Sequence, residues 1–539
     1  MGKISHYKLI IIVALFFVLF YNFSFFSNVI KTYPFEGINI IYILSIGILL
    51  ACLMIFILML FSSKYTTKPL LTILLIASSF TAYFMDTYNI VIDDSMIRNS
   101  LQTNLSESAD LFSFKLVGYI TFLAIIPSWF IYKVDLEYKP FKQEIYTKLK
   151  TLFLSLGIIL IILFSFSKFY TSFFREHKPL RLYVNPIYWM YSIGNYVNKT
   201  LNNGPITVKE IGKDAKIAID PTTPKEEKTE LIIMVLGETA RADRFSLNGY
   251  EKETNPLLKK EDIVNFSNMY SCGTSTAESV PCMFSIFGKA DYDYKKGIST
   301  QNVLDVLTHT NDIKILWRDN NSDSKGVALR VDFEDYRTSK TNTKCDDVEC
   351  RDEGMLVGLE DYIKKNKGKD IFIILHQMGN HGPAYYKRYP KEFEKFTPVC
   401  KSNQLEECTK EEVSNAYDNA ILYTDYFLSK VINFLKPYSA DYETAMIYMS
   451  DHGESLGENG IYLHGLPYFM APVEQKHIGS LMWFGGEDIK EDVDVEKLNS
   501  YKNQSFSQDN LFHTLLGLFE VETDVYKKEM DILYNAKKQ

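Results

Sequence analysis

The chain has 539 residues, too many for one ordinary domain, and a formal net charge of -8. An acidic chain with no basic stripe is a poor match for nucleic acid, so no nucleic-acid partner is expected. Composition is uneven: Ile, Leu and Phe dominate residues 1–170, whereas residues 225–539 have the mixture of a soluble domain.

Five apolar runs come first, at Leu9–Phe26, Ile38–Phe61, Leu70–Tyr88, Leu116–Tyr132 and Leu152–Phe169. A helix needs about 20 apolar residues to cross the hydrocarbon core, so residues 1–170 are predicted to form a domain of five transmembrane helices. The first run is not read as a cleaved signal peptide: no small-residue cleavage site follows it, and more spans do. Positive charge gathers at Lys3 and Lys8, at Lys64 and Lys68, and between Lys133 and Lys150. The loop between the third and fourth runs instead holds Asp86, Asp93, Asp94, Glu107 and Asp110. This asymmetry predicts a cytoplasmic N-terminus, and five spans then leave the rest of the chain outside the cytoplasm. Residues 171–228 read as an interfacial helix, rich in aromatics with Arg and Lys, followed by the polar linker 221–228.

Cys52 lies inside the second run and reads as an inert buried thiol. The other six Cys fall into three close pairs, Cys272/Cys282, Cys345/Cys350 and Cys400/Cys408. Six Cys allow fifteen connectivities; local pairing is the simplest, and it requires an oxidising compartment. A zinc cluster is the alternative, but the spacings are not CxxC-like.

In residues 229–539, Leu231–Leu236, Ile313–Trp317, Ile371–Leu375 and Ala445–Met449 read as buried strands, and 413–435 has helical periodicity. Alternation of strands and helices predicts an α/β domain around a central, mostly parallel sheet. Each strand runs into polar residues: GETARADR, RDNNSDSK, HQMGNHGP and SDHGE. Open α/β sheets bind ligands beyond the carboxyl ends of their strands, so these ends are expected to converge on one site. Asp451, His452 and Glu238 are candidate Zn²⁺ ligands, and His376, His381 and His464 lie in the same segments. His309, His477 and His513 are given no role. The loop 271-SCGTSTAESVPCMFS-285 carries hydroxyls between two Cys. One of them could be a nucleophile if a base or metal activates it.

These motifs together, in this order, resemble the lipid A phosphoethanolamine transferases, inner-membrane enzymes whose periplasmic domain has the alkaline phosphatase-like fold. The resemblance spans essentially the whole chain. It implies Thr276 as nucleophile, and Glu238, Thr276, Asp451 and His452 as ligands of one or two zinc ions. It also implies that Asn321, Lys325, His381 and His464 hold the phosphoethanolamine group, and in some members a second zinc, with His376 close to this set; His381 or His464 would act in catalysis by shuttling protons. The donor would be phosphatidylethanolamine and the acceptor lipid A or another surface glycan, reached through a phosphoethanolamine–threonine intermediate. The product would raise resistance to cationic antimicrobial peptides. Glu278 departs from the family pattern, which expects an uncharged residue there. A glycerol phosphate transferase using phosphatidylglycerol is the alternative, disfavoured by the paired Cys and by HQMGNHGP. A sulfatase would need C-x-P-x-R or its Ser version, and a scaffold with a dead site would not need the full ligand set.

Overall fold

The computed structural model describes residues 3–103, 105–201, 207–218 and 228–537. It divides into two compact units, one of residues 1–97 and 112–199, the other of residues 98–111 and 200–539. The boundary thus falls later than residue 170, and the short segment 98–111 leaves the membrane unit. Of the expected linker 221–228, all but Lys228 lies outside the described residues.

Among the described residues of the first unit, four helices are long and apolar enough to cross a membrane: Asn39–Phe61, Thr67–Tyr88, Phe114–Lys133 and Phe141–Ser165. A fifth span exists only if the bent pair His6–Phe20 and Phe23–Thr32, broken by 55°, is counted as one. The predicted continuous run Leu9–Phe26 is therefore corrected. Asn22 sits at the break and donates to Phe17 O at 3.0 Å and to Asn185 O at 2.7 Å. Asp86 then accepts from Ser24 N at 3.0 Å, satisfying a donor that begins the next helix. The span Phe114–Lys133 carries a π turn at Ile120–Ile125. Pro127 follows it; its ring and missing N–H disturb the preceding turn of an α-helix.

The segment expected to hold an interfacial helix contains two helices. Ser167–Glu176 and Ile187–Leu201 are α-helices separated by the 3₁₀ turn Lys178–Tyr183, with Pro179 and Pro186 interrupting the run. Phe169, Tyr170, Phe173, Leu182, Tyr183 and Trp189 are buried. This segment therefore packs as part of the first unit; Tyr42 stacks on Phe169 with ring centroids 4.2 Å apart.

The second unit is built on a seven-stranded sheet. From one edge the strands run Ile263–Asn265, Ser480–Gly485, Tyr442–Ser450, Thr229–Gly237, Asp370–His376, Ile313–Asp319 and Asp332–Asp335. The last five pair in parallel; the first two join antiparallel. The four central strands are apolar almost throughout because both faces are covered, as buried parallel strands require. One core joins Trp317, Phe372 and Met449 to Val280, Phe284, Leu304 and Phe512. Elsewhere the 26-residue helix Lys410–Leu435 opens with a capping box, Thr409 bonded to Glu412.

Register decides what the sheet presents. Ser450 pairs with Gly237, Leu236 with His376, and Asp319 with His376. Four strands therefore end at one level, and the polar residues that follow converge there. Disulfides join Cys272 to Cys282, Cys345 to Cys350 and Cys400 to Cys408, the expected local pairing.

Candidate active site

Among the described residues, Glu238, Asp451 and His452 form the group able to hold a metal ion, with one ligand atom from each within 4.8 Å of the others. All three are fully buried. His452 Nδ1 faces only the Gly453 carbonyl, at 2.8 Å, so Nδ1 carries the proton and donates it. Nε2 is left as a lone pair pointing at Glu238 Oε1, 3.5 Å away, and Asp451 Oδ2, 3.3 Å away. Burial pushes the His452 imidazole down to about 4, against the pull of Asp451, so it is neutral and ready to ligate. Asp451 Oδ1 accepts from Thr239 N and His452 N, while buried Oδ2 accepts no hydrogen bond. Two carboxylates, an imidazole and an unsatisfied oxygen are the donor set of a Zn²⁺ site.

Thr276 begins the helix Thr276–Met283. Its hydroxyl donates to Glu238 Oε2 at 3.1 Å and lies 3.4 Å from His452 Nε2. The loop before it is tied at several points. Gly273 N donates to Ser279 Oγ at 2.9 Å and Thr274 Oγ1 donates to Leu466 O at 2.6 Å. A Cβ at Gly273 would meet Ser279 N at 2.9 Å, so the turn closes only around glycine. The helix N-terminus adds positive potential where negative charge would develop. Glu278 is half-buried in the same first turn. Its charge opposes the burial that lowers the Lys289 ammonium.

Asn321 Nδ2 donates to Glu238 Oε2 at 2.9 Å, bringing the 318–325 loop to the metal group. Lys325 follows with φ of +49°; its ammonium bonds Ser322 O at 3.2 Å and Gln102 O at 3.4 Å. His381 and His464 keep some exposure, unlike the triad. The ring centroids of His464 and His452 are 4.3 Å apart, and those of His381 and His464 are 5.9 Å apart. Burial, then the nearby Arg388 guanidinium, hold His381 well below the usual imidazole range.

His376 stands apart from this group. Its Nδ1 bonds Asp319 Oδ2 at 2.8 Å and its ring meets Trp317 edge-on. Although burial opposes it, the His376 partner holds the Asp319 carboxyl low, and Asp319 in turn accepts from Asn321 N and Asp323 N. His376 braces the 319–323 loop, because strand register turns it toward Asp319.

Three participants were not singled out from the sequence. Buried Glu454 accepts from His464 Nδ1 at 3.3 Å; its place two residues after His452 was the available signal. Gln508 donates to the Ser450 and Asp451 carbonyls at 2.8 Å each and accepts from Cys272 N at 2.6 Å. It joins the 271–285 loop to the end of the Tyr442–Ser450 strand, with nothing in its local sequence to announce it. Arg388 donates to the His381 carbonyl at 2.7 Å.

The family model described as Phosphoethanolamine transferase EptA/EptB matches residues 50–201, and that described as Sulfatase matches residues 230–521. Phosphatidylethanolamine transferase Mcr-1 of Escherichia coli is 43% identical, over 97% of this chain and 97% of its own. The chain belongs to the phosphoethanolamine transferase family. The sulfatase match reflects the α/β unit it shares, and C-x-P-x-R is absent from the 271–285 loop of this transferase. The solved lipooligosaccharide phosphoethanolamine transferase A (EptA) of Neisseria meningitidis matches with a TM-score of 0.94 at 34% identity, covering 100% of both chains. The C-terminal periplasmic domain of phosphoethanolamine transferase EptC from Campylobacter jejuni is 42% identical with a TM-score of 0.53, covering 61% of this chain and 97% of that one.

Proposed function

We propose that this transferase moves phosphoethanolamine from phosphatidylethanolamine to lipid A or another surface glycan through a covalent Thr276 adduct. The observation that carries the proposal is the approach of Thr276 Oγ1 to Glu238 and His452 at a helix N-terminus. It occurs in a chain 43% identical to a named phosphatidylethanolamine transferase. Glu238, Asp451, His452 and Thr276 would hold zinc, which when bound supplies positive charge that acidifies the Thr276 hydroxyl and stabilises phosphoryl oxygens.

The residues divide the work. Thr276 Oγ1 attacks phosphorus; the Oγ1–P bond forms as the bond from phosphorus to the diacylglycerol oxygen breaks. His381 or His464 carries the proton from Thr276 to the departing oxygen. Asn321 and Lys325 position and neutralise the phosphoryl group, which is where phosphoryl transfer gains most. In the second half, His464, oriented by Glu454, takes the acceptor's proton; the new O–P bond forms, the Oγ1–P bond breaks, and Thr276 regains a proton. The product carries an added amine, making the surface less negative and weakening the binding of cationic peptides. The charge asymmetry of the loops favours a cytoplasmic N-terminus in a bacterial inner membrane. The catalytic domain then faces the periplasm, as the name of the Campylobacter domain supports.

The test is intact mass of the full chain in detergent after exposure to phosphatidylethanolamine. The wild type should gain one phosphoethanolamine and Thr276→Ala none. A Thr276→Ala chain that still transfers the group would overturn the assignment.

A further inference from the structure

A buried ion-pair chain reaches the His381 loop, and no step above uses it. Arg388 is 4% exposed. Its Nε donates to the His381 carbonyl at 2.7 Å, its Nη2 pairs with Asp110 Oδ2 at 2.6 Å, and its Nη1 pairs with Glu349. Asp110, 7% exposed, also accepts from Lys387 Nζ. Glu349 holds Arg351 Nη1 at 3.1 Å, and Arg351 donates onward to Lys387 O at 2.7 Å. The 381–388 turn is thereby closed by charged bonds on both sides.

The far end of the turn is fixed by Lys387 N on Ala384 O at 2.9 Å, Arg388 N on Tyr385 O at 3.0 Å and buried Tyr385 edge-on to Tyr417. At the histidine end His381 N reaches Met378 O only at 3.4 Å, Gly379 and Gly382 stand on either side of His381, and Pro383 has no N–H to give. A buried guanidinium keeps one geometry when its carboxylates are in place; removing one leaves an uncompensated charge that must relax. Asp110 comes from the segment 98–111, otherwise anchored in this unit by Arg98 over the Tyr294 ring at 4.3 Å and by Gln102 O at Lys325 Nζ.

We propose that Asp110 is a positioning residue for the transfer reaction: it fixes Arg388, which holds the His381 carbonyl and so sets the imidazole beside His464. The inference rests on the reading that His381 acts at the phosphoryl group. It makes the segment 98–111 part of the catalytic apparatus, although in sequence it lies between two apolar helices.

The experiment uses the full chain in detergent and measures kcat and KM for phosphatidylethanolamine head-group transfer, zinc content and thermal unfolding. The variants are Asp110→Asn, Asp110→Glu, His381→Ala and the Asp110→Asn/His381→Ala pair. Asp110→Asn should lower kcat about 10- to 100-fold, the usual effect of losing a residue that orients a ligand or base. KM and zinc content should stay at wild-type values, and Asp110→Glu should recover much of kcat. In the His381→Ala background, Asp110→Asn should cost nothing further, since both act through one group. Additive losses in the double variant, or an unchanged kcat in Asp110→Asn, overturn the proposal. If Asp110→Asn does not fold, Arg388→Lys serves: it keeps a charge between Asp110 and Glu349 but gives up the bond to the His381 carbonyl, and should show the same loss of kcat. A His381→Ala chain with full kcat would instead overturn the underlying reading, and is told apart because no Asp110 variant need be compared.

Discussion

Gly379→Ala should damage the metal site from a distance of one van der Waals contact. Gly379 has φ of +53°, and a Cβ there would lie 2.9 Å from Glu238 O and 3.1 Å from Glu238 N and Cβ. Those are mostly backbone atoms of a residue in the group able to hold a metal, and they cannot swing aside as a side-chain tip would. The left-handed conformation costs a residue with a Cβ about 1–2 kcal/mol, and overpacking adds about 1–3 kcal/mol. The expected loss is therefore about 2–5 kcal/mol unless Glu238 moves. If it moves, the bonds from Asn380 N and Nδ2 to Glu238 O, at 3.1 and 3.3 Å, are disturbed, and the 3.1 Å approach of Glu238 to Thr276 opens. Thermal unfolding, zinc retention against a competing chelator, and head-group turnover would be read on the full chain. Gly249→Ala is the control: φ is +89° but nothing lies within 4 Å of its Cβ, so it should lose stability and keep zinc. A Gly379→Ala chain that holds zinc and turns over like Gly249→Ala would refute the reasoning.

Three other outcomes follow from the same geometry. Glu454→Gln should lower kcat about 100-fold with little change in KM, because a general base that has lost its orienting partner loses most of its contribution; an unchanged kcat would remove Glu454 from the proton path. Chelator treatment of the full chain should abolish turnover, with recovery on adding Zn²⁺ but not Mg²⁺, since a buried set of two carboxylates and one imidazole suits zinc and not an octahedral oxygen shell; recovery by Mg²⁺ would argue against zinc. His513 is held down to about 4, first by burial, and its Nδ1 accepts from Lys527 N at 3.1 Å. Its folded value lies below the unfolded one near 6.5, so its contribution is complete above pH 6.5 and is lost as pH falls toward 4. The loss is at most about 3 kcal/mol. Denaturant midpoints across that window should fall less steeply in His513→Asn, whose amide oxygen can replace Nδ1; equal slopes would contradict the assignment.

The central strands were legible because burial on both faces leaves a parallel strand no polar positions except its ends. Where such a strand stops being apolar, it has reached the level of the site; Glu238, Asn321, His381 and Asp451 all lie just past that point. The same rule does not say which way His376 turns. It is the last residue of its strand, side chains alternate across a sheet, and register sets it against Asp319. Leu9–Phe26 was misread for a related reason. Averaged hydropathy treats Asn22 as one polar residue among many apolar ones, but its amide bonds Asn185, a partner 163 residues away. Arg388 and Gln508 went unnoticed, and Asp110 read only as one of several loop charges, because what sets them apart is whom they touch, and each touches something far along the chain.

Backbone strain shows why local sequence could not have disclosed the rest. Thr239, Lys325 and Leu463 have φ of +51°, +49° and +63°; none belongs to the residue types that favour the left-handed region. Each adjoins or is itself a site residue: Glu238 precedes Thr239, Lys325 is one, and His464 follows Leu463. Such conformations cost about 1–3 kcal/mol each and persist only where the surroundings over-determine them. Here the surroundings can be named. Thr239 N donates to Asp451 Oδ1 at 3.1 Å and Thr239 O accepts from Tyr417, a residue of the helix Lys410–Leu435. Lys325 N donates to Asp323 Oδ1 at 2.6 Å, and Leu463 pairs with Ser455 and accepts from Gln475 Nε2 at 3.0 Å. The site is therefore held against local preference by the sheet and the helix that covers it. A sequence reading built on local preference can identify which residues meet there, but not the bend that makes them meet.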